Sequence, residues 1–476
     1  MKRTIHSTAL ILAIFAFAGV GHAHSSLISS KPAAGESTEA SPDRVELVFS
    51  IRVQRAMSSI SLTGPGGAVP VSAPLGSTPD GKTVWIDLTN PLPPGEYKVE
   101  WRALSADDHT IKGDFAFTVQ PPAARSSFAD PPQTVPQEPD HSLMDHSGHT
   151  REAGISWAES VVRWFAYLGM MLFGGGVAFR IFVAGPAAGR MEELAAFDSA
   201  SSKIVSAAVA IFLFAASAAL LLQTVSLFDT FSFTKAMAVI SETTFGTPWL
   251  VQITAAALGI VFILIASYAE VGSRKKWFAM AFAASLLLFV APGFTGHARG
   301  ASAEYALAIP SDWIHVAAAS VWVGGLVMIL AAVPRAIATV GRENVRAAYS
   351  EYVSRFNKLA VISVLLIVAT GVYNSYIHVE SIAALLGTTY GQLLIAKVVL
   401  SLMMVVVGGL NAYVVHPQIR SGVEGSEDAL LRNVKLEVAL SVVVLLLAAL
   451  LAFLPPAREH LPVTAAQSRP QERSLV

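Results

Sequence analysis

Asp107 and His109 are separated by one residue in the stretch "SADDHTIKGDF", and His24 directly follows Gly21-His22-Ala23. On a strand, residues two apart share a face; on a loop they can still chelate together. If the chain is cut after Ala23, His24 becomes the first residue and offers both an imidazole and an α-amine. That amine has a pKa of about 8, so a metal displaces its proton at small cost near neutral pH. Two imidazoles, an amine and a carboxylate form a tetragonal N,O set, which among the available divalent ions suits Cu(II) best. An Asp-x-His pair on its own also fits unrelated polar residues on a surface.

More candidates lie in the apolar part of the chain. Asp312 and His315 are one helical turn apart, on one face. With His297 of "TGHARG" they could converge on an outer vestibule that binds metal; the alternative is a set of interfacial side chains. Met170, Met171, Met403 and Met404 fall near the centre of two apolar stretches. Thioethers suit Cu(I), so these residues read either as a copper path or as ordinary packing. Lys397 lies about two turns inside its stretch, and Glu159 and Arg163 form an i,i+4 pair. Ionisable groups inside a membrane mark function unless they snorkel to its edge. Lys397 carries a charge that repels copper, and reads as an ion-pair partner or a gate. His141, Met144, His146 and His149 crowd "DHSLMDHSGHT", which reads equally as a copper hand-over point and as a solvated tether.

The elements that must position these residues follow from composition and pattern. Of 476 residues, 53% are hydrophobic and 14% charged, against about 25% charged in soluble domains. The mean hydropathy of +0.54 places much of the chain in a lipid bilayer. A net charge of −1 with no dense basic run argues against a nucleic-acid partner. With 0 cysteines there is no disulfide, zinc thiolate or thiol catalyst. Lys2 and Arg3 followed by "TALILAIFAFAGV" predict a signal peptide over 1–23.

Residues 24–120 predict a small all-β domain, an Ig-like sandwich or Greek-key barrel. "RVELVFSIRV", "TVWIDL", "EYKVEWRAL" and "DFAFTV" alternate in hydropathy, and "GPGG", "PDGK" and "PLPPGE" separate them. A Pro-rich linker follows over 121–154. An α-helical polytopic membrane domain is predicted over 155–456, with eight spans at about 156–183, 202–226, 248–269, 276–294, 312–334, 357–378, 390–415 and 434–455, and a tail over 457–476. Basic residues crowd the loops after spans one, three, five and seven, which the positive-inside rule assigns to the cytoplasm. Both termini then lie outside, in a bacterial inner membrane.

"HSSLISSKPAAGES", the "P-x-x-V-x-L-x-F-S" of Pro42 to Ser50, and "GEYKVEWRALSADDHTIKGDFAF" resemble the CopC family of periplasmic copper-binding proteins. That resemblance implies Cu(II) held by His24, Asp107 and His109. Asp108 departs from it, standing where the family usually has glycine, and Met57 alone does not make the methionine cluster that some relatives use for Cu(I). From about 157 to 455, "RWFAYLGMMLFGG", "GHA", "DWIHVAAASVWVGGL", "RFNKLAVISVLLIVATGVYNSY" and "TTYGQLLIAKVVLSLMMVVVGGLNAY" resemble, in order, the CopD copper-resistance family. The two resemblances imply a fusion that binds copper in the periplasm and transports it across the inner membrane, most simply inward, with periplasmic chaperones or a reductant as partners. No nucleotide-binding loop suggests an ATP-driven pump, and no enzymatic step is expected. The other readings are a membrane-held copper buffer or sensor, and a haem-containing membrane oxidoreductase. The latter needs facing histidines within the bilayer, whereas those here lie at span ends.

Overall fold

The structure is a computed structural model that describes residues 27–71, 74–106, 110–121, 157–295, 307–379 and 381–454. It divides into two compact units, one of strands and one of helices.

In the first unit, alternation along each strand turns one apolar row inward. β1 (Leu27–Lys31), β3 (Arg44–Phe49), β7 (Thr83–Asp87) and β6 (Gly76–Ser77) form one sheet in that order. β2 (Ser37–Thr38), β9 (Thr110–Val119), β8 (Gly95–Leu104), β4 (Ser59–Gly64) and β5 (Gly67–Ala68) form the other. Val45, Leu47 and Phe49 of β3, Val84 and Ile86 of β7, and Tyr97, Val99 and Trp101 of β8 meet in one core with Phe115 and Phe117 of β9. This is the expected sandwich.

The long hairpin β8–β9 is paired from Gly95↔Val119 to Leu104↔Thr110. Gly113 is required there because a Cβ would lie 2.7 Å from the Trp101 ring. The indole instead packs edge-on against Phe49, with ring centroids 5.3 Å apart. Where the hairpin turns, its stem is tied to the segment after β3. Gln54 N donates to Leu104 O at 2.6 Å and Ala106 N to Arg52 O at 2.9 Å, while Gln54 Nε2 donates to Ser105 O at 2.9 Å. β1 borders the same segment, with Leu27 opposite Phe49.

The second unit is helical: α1 (Trp157–Phe179), α2 (Met191–Phe228), α3 (Phe233–Glu242), α4 (Gly246–Tyr268), α5 (Val271–Thr295), α6 (Ala308–Ala331), α7 (Val345–His378), α8 (Ile382–Gly387), α9 (Thr389–Leu410) and α10 (Ser426–Leu451). Among the described residues, 7 helices are long and apolar enough to cross a membrane. The eighth expected span falls on α5, 25 residues long but not one of the seven. Its apolar stretch is bounded by Arg274, Lys275 and Lys276 on one side and by Pro292-Gly293 on the other. Seven spans are therefore confirmed among the described residues, and α5 is the helix on which the eighth would rest. α2 and α7, at 38 and 34 residues, outrun the apolar stretches that predicted them, because their charged ends stay helical.

α1 and α6 meet backbone to backbone. A Cβ on Gly175 would lie 2.0 Å from Ser320 O, and one on Gly324 would lie 2.5 Å from Met171 O. Ser320 Oγ also donates to Met171 O at 3.1 Å. Small residues at such a crossing replace the hydrophobic drive that lipid removes.

α1 runs on through a π-helical segment, Arg180–Ala184, and α9 through another, Asn411–Val415. In each the residue after the segment, Gly185 or His416, donates to the segment's first carbonyl. Pro186 and Pro417 follow and have no N–H to give, so the wider turn keeps the preceding carbonyls bonded.

Replacing Gly324 with leucine is expected to force α6 off α1 and to cost about 1–3 kcal/mol. A lower thermal midpoint of the full chain in detergent would report it; an unmoved midpoint would mean the helices do not touch at this pair.

Candidate functional site

A polar cluster gathers where α6 and α7 cross, with α1 and α9 beside them. Asp312 and His315 sit one turn apart on α6, as their spacing predicts, and both are partly buried. α7 answers with Thr370 and Asn374, also one turn apart. Asn374 Nδ2 donates to Asp312 Oδ1 at 2.7 Å, and Ser311 Oγ donates to Asn374 Oδ1 at 2.8 Å. This second bond fixes the amide so that its NH₂ faces the carboxylate.

His315 Nδ1 lies 2.9 Å from Thr370 Oγ1. The threonine hydroxyl donates its one proton to Leu366 O at 2.6 Å, so it accepts from the imidazole. The threonine thus assigns a proton to Nδ1, and the Ile367 backbone is a further hydrogen-bond partner of the ring. A ring oriented in this way is prepared to be a metal ligand, with threonine as its outer support.

Lys397, half-buried on α9, acts electrostatically on both Asp312 and His315. Tyr167 of α1 lies within reach of the charges of Arg163 and Asp312. Arg163 itself stacks over Phe453, 4.3 Å from the ring centroid. Among the described residues no three His, Cys, Asp or Glu side chains converge as a metal set. Asp312 and His315 are thus two donors with a cation beside them.

The methionines separate. Met170, Met171 and Met404 are buried, at 1%, 4% and 2% exposure, whereas Met403 is 48% exposed on the outer surface of the bundle. Met171 packs with Val323 and Leu445, close to Tyr167 and Val316. His24, Asp107, His109 and His297 lie outside the described residues, as do His141, Met144, His146 and His149. Sequence reasoning overlooked Thr370 and Asn374, although a Thr and an Asn one turn apart in an apolar helix are a readable signal. It also overlooked Glu437, a carboxylate in the last span.

Comparison with known proteins agrees with this division. The CopC domain matches residues 27–120. The N-terminal domain of copper resistance protein D-like proteins matches 154–305, and Copper resistance protein D matches 350–451. The chain is a CopC–CopD copper-resistance fusion. It is 26% identical to the copper transport protein CutJ of Bacillus subtilis over 97% of this chain and 80% of that one. Copper resistance protein C of Escherichia coli is 38% identical over 21% of this chain and 82% of its own length. The inner membrane protein YebZ of Escherichia coli K12 is 28% identical over 45% of this chain and 70% of its own length. The fusion belongs to a copper resistance and transport family, and its apolar helices make it a multi-pass inner-membrane protein.

Asn374→Ala is expected to remove a charge-assisted hydrogen bond worth about 1.5–3 kcal/mol. Thermal unfolding of the full chain in detergent measures the loss, and no loss would mean that the Asn374–Asp312 bond is not made.

Proposed function

We propose that the CopC domain captures Cu(II) outside the cytoplasm and that the helical unit carries copper inward past Asp312 and His315. The observation that carries this reading is the pair His315 and Asp312, one turn apart on α6 and each held by a polar side chain of α7, in a bundle fused to a CopC domain.

In the β domain the proposed ligands are His24, Asp107 and His109. Asp107 and His109 fall in the connection whose stem is tied to Arg52 and Gln54. β1 begins at Leu27, opposite Phe49, and His24 precedes it by three residues in the sequence. Signal cleavage after Ala23 supplies the amine. The proposed orientation takes α5 as the eighth span and places both termini outside, consistent with the basic loops.

In the helical unit, a copper ion taken up by Asp312 and His315 shares the carboxylate with Lys397. The ammonium opposes a resident cation, so the site favours passage over storage. Buried Met170, Met171 and Met404 supply soft donors for Cu(I) deeper in the bundle, which requires a reductant or a chaperone that delivers reduced copper. Met403, facing outward, takes no part.

Copper accumulation in cells expressing the wild type, His24→Ala, His315→Ala or Lys397→Met tests this. Accumulation should fall for the first two variants. Lys397→Met should slow release, giving tighter copper binding with lower flux. Equal accumulation in all four, matching cells without the protein, would leave a copper buffer or sensor as the better reading. Thr370→Val is expected to weaken copper binding at His315 by about 10–100-fold, as loss of an outer hydrogen bond to a ligating imidazole does. Copper titration of the purified full chain in a His24→Ala background reads this out. N-terminal sequencing of the mature protein should begin at His24; any other start would remove the proposed amine ligand.

A further inference from the structure

The two π segments set two carboxylates in opposite surroundings. Arg180 opens the first and pairs with Asp198 of α2 through Nε, and through Nη2 at 3.2 Å. Arg274 reaches the same carboxylate at 3.6 Å. Asp198 therefore faces two guanidinium groups. Asn411 opens the second, donates from Nδ2 to Glu437 Oε1 at 2.8 Å, and accepts from Asn433 Nδ2 at 2.9 Å. Glu437 thus meets an amide where Asp198 meets cations.

Glu437 is 1% exposed. It takes its place in the buried stripe of α10 with Leu430, Val434, Ser441 and Leu445, about 16 Å along the helix from its start. Its other oxygen, Oε2, lies over Gly408, where a Cβ would come within 3.3 Å. The elements packed against α10 are α1, α6, α9, the second π segment and the His416–Ser421 turn.

Their charged and titratable groups are engaged elsewhere or turned away. On α1, Arg163 covers Phe453 and is the hydrogen-bond partner of Tyr167; Arg180, just beyond, holds Asp198. On α6, Asp312 holds Asn374 and His315 holds Thr370. Lys397 of α9 acts on Asp312, and His416 bonds Ser350. Arg420, Arg432, Lys435 and Asp428 are exposed, and Glu427 lies 3.6 Å from Arg346. Among the described residues, burial and the Asn411 bond are what act on Glu437.

A carboxyl group kept from water and from any cation exists in such a place by carrying a proton. We propose that Glu437 is a proton-binding site of the helical unit, reached through the second π segment. Asn411 serves both states: its NH₂ bonds a carboxylate oxygen or the carbonyl of the acid, while Asn433 holds the amide in place. Taken with the transport reading above, on which this extension rests, proton binding at Glu437 couples copper passage to the proton gradient. The bundle then has an energy source without a nucleotide site.

The test uses the full chain in phosphatidylcholine vesicles. Infrared difference spectra across a pH step should show a carboxylic C=O band that Glu437→Gln abolishes and Glu437→Asp shifts. The aspartate variant assigns the band if the glutamine variant does not insert. Copper influx should change several-fold with the pH difference across the wild-type vesicle and become flat in Glu437→Gln. A band untouched by both substitutions overturns the proposal, as does a Glu437 band that responds to sodium or potassium but not to pH. A pH-responsive Glu437 band without wild-type copper flux supports the proton site and sinks the transport reading instead.

Discussion

Gly175 of α1 and Gly324 of α6 touch with no room for a side chain between them. Much of the helical unit follows from this contact. It lets Ser320 reach the carbonyl of Met171 and fixes how far α6 can slide along α1. Two turns or so up the same helix stand His315 and Asp312, so their place relative to Tyr167 is set by the glycine crossing below. In lipid no hydrophobic force pushes two helices together, and close backbone approach is the substitute. Precision at the polar cluster is thus inherited from a stretch that has no polar side chain except a serine.

The same solvent imposes a second discipline. Three sets of buried polar groups in the helical unit are arranged as donor–acceptor sequences that end on backbone carbonyls or charges. Ser311 holds Asn374, which holds Asp312; His315 holds Thr370, which holds Leu366 O. Asn433 and Asn411 lead to Glu437 in the same manner. Each sequence joins two different helices, so it specifies neighbours as well as satisfying atoms. The β unit obeys the rule with less strain, because its sheets consume the backbone groups.

Much of this architecture was legible in the residues. Strict alternation in "RVELVF" and "TVWID" could only be half-buried strands, and β3 and β7 bury the expected Val45, Leu47, Val84 and Ile86. The glycine before "DFAF" was visible as a motif; its cause, the Trp101 ring opposite, was not. The i,i+3 pair Asp312 and His315 was read correctly because helix geometry alone decides it. Partners on other helices could not be: nothing local says that Asn374 meets Asp312 and not lipid. Four methionines in two adjacent pairs looked equivalent, yet neighbours on a helix face about 100° apart, and packing turned Met403 outward while burying Met404. Of the eight expected spans, seven are confirmed among the described residues, and the eighth falls on α5, a helix of 25 residues.

α4 gives the molecule a ruler. With the π segments and following turns of α1 and α9 included, it is the shortest of the seven apolar spans, 23 residues, with Trp249 near one end and Tyr268 at the other. The two aromatic residues are about 28 Å apart along the axis, close to the ~30 Å hydrocarbon thickness of a bilayer. Trp249 is pinned through its Nε1, which donates to Ala216 O of α2 at 2.9 Å, and Tyr268 is almost fully exposed. Aromatic rings of this kind settle at the headgroup level. α2 and α7 are far longer than any bilayer and can register with none in particular. The short helix is therefore the tightest match to membrane depth, and thickening the membrane would be felt first by α4 and, through Ala216, by the long helix beside it.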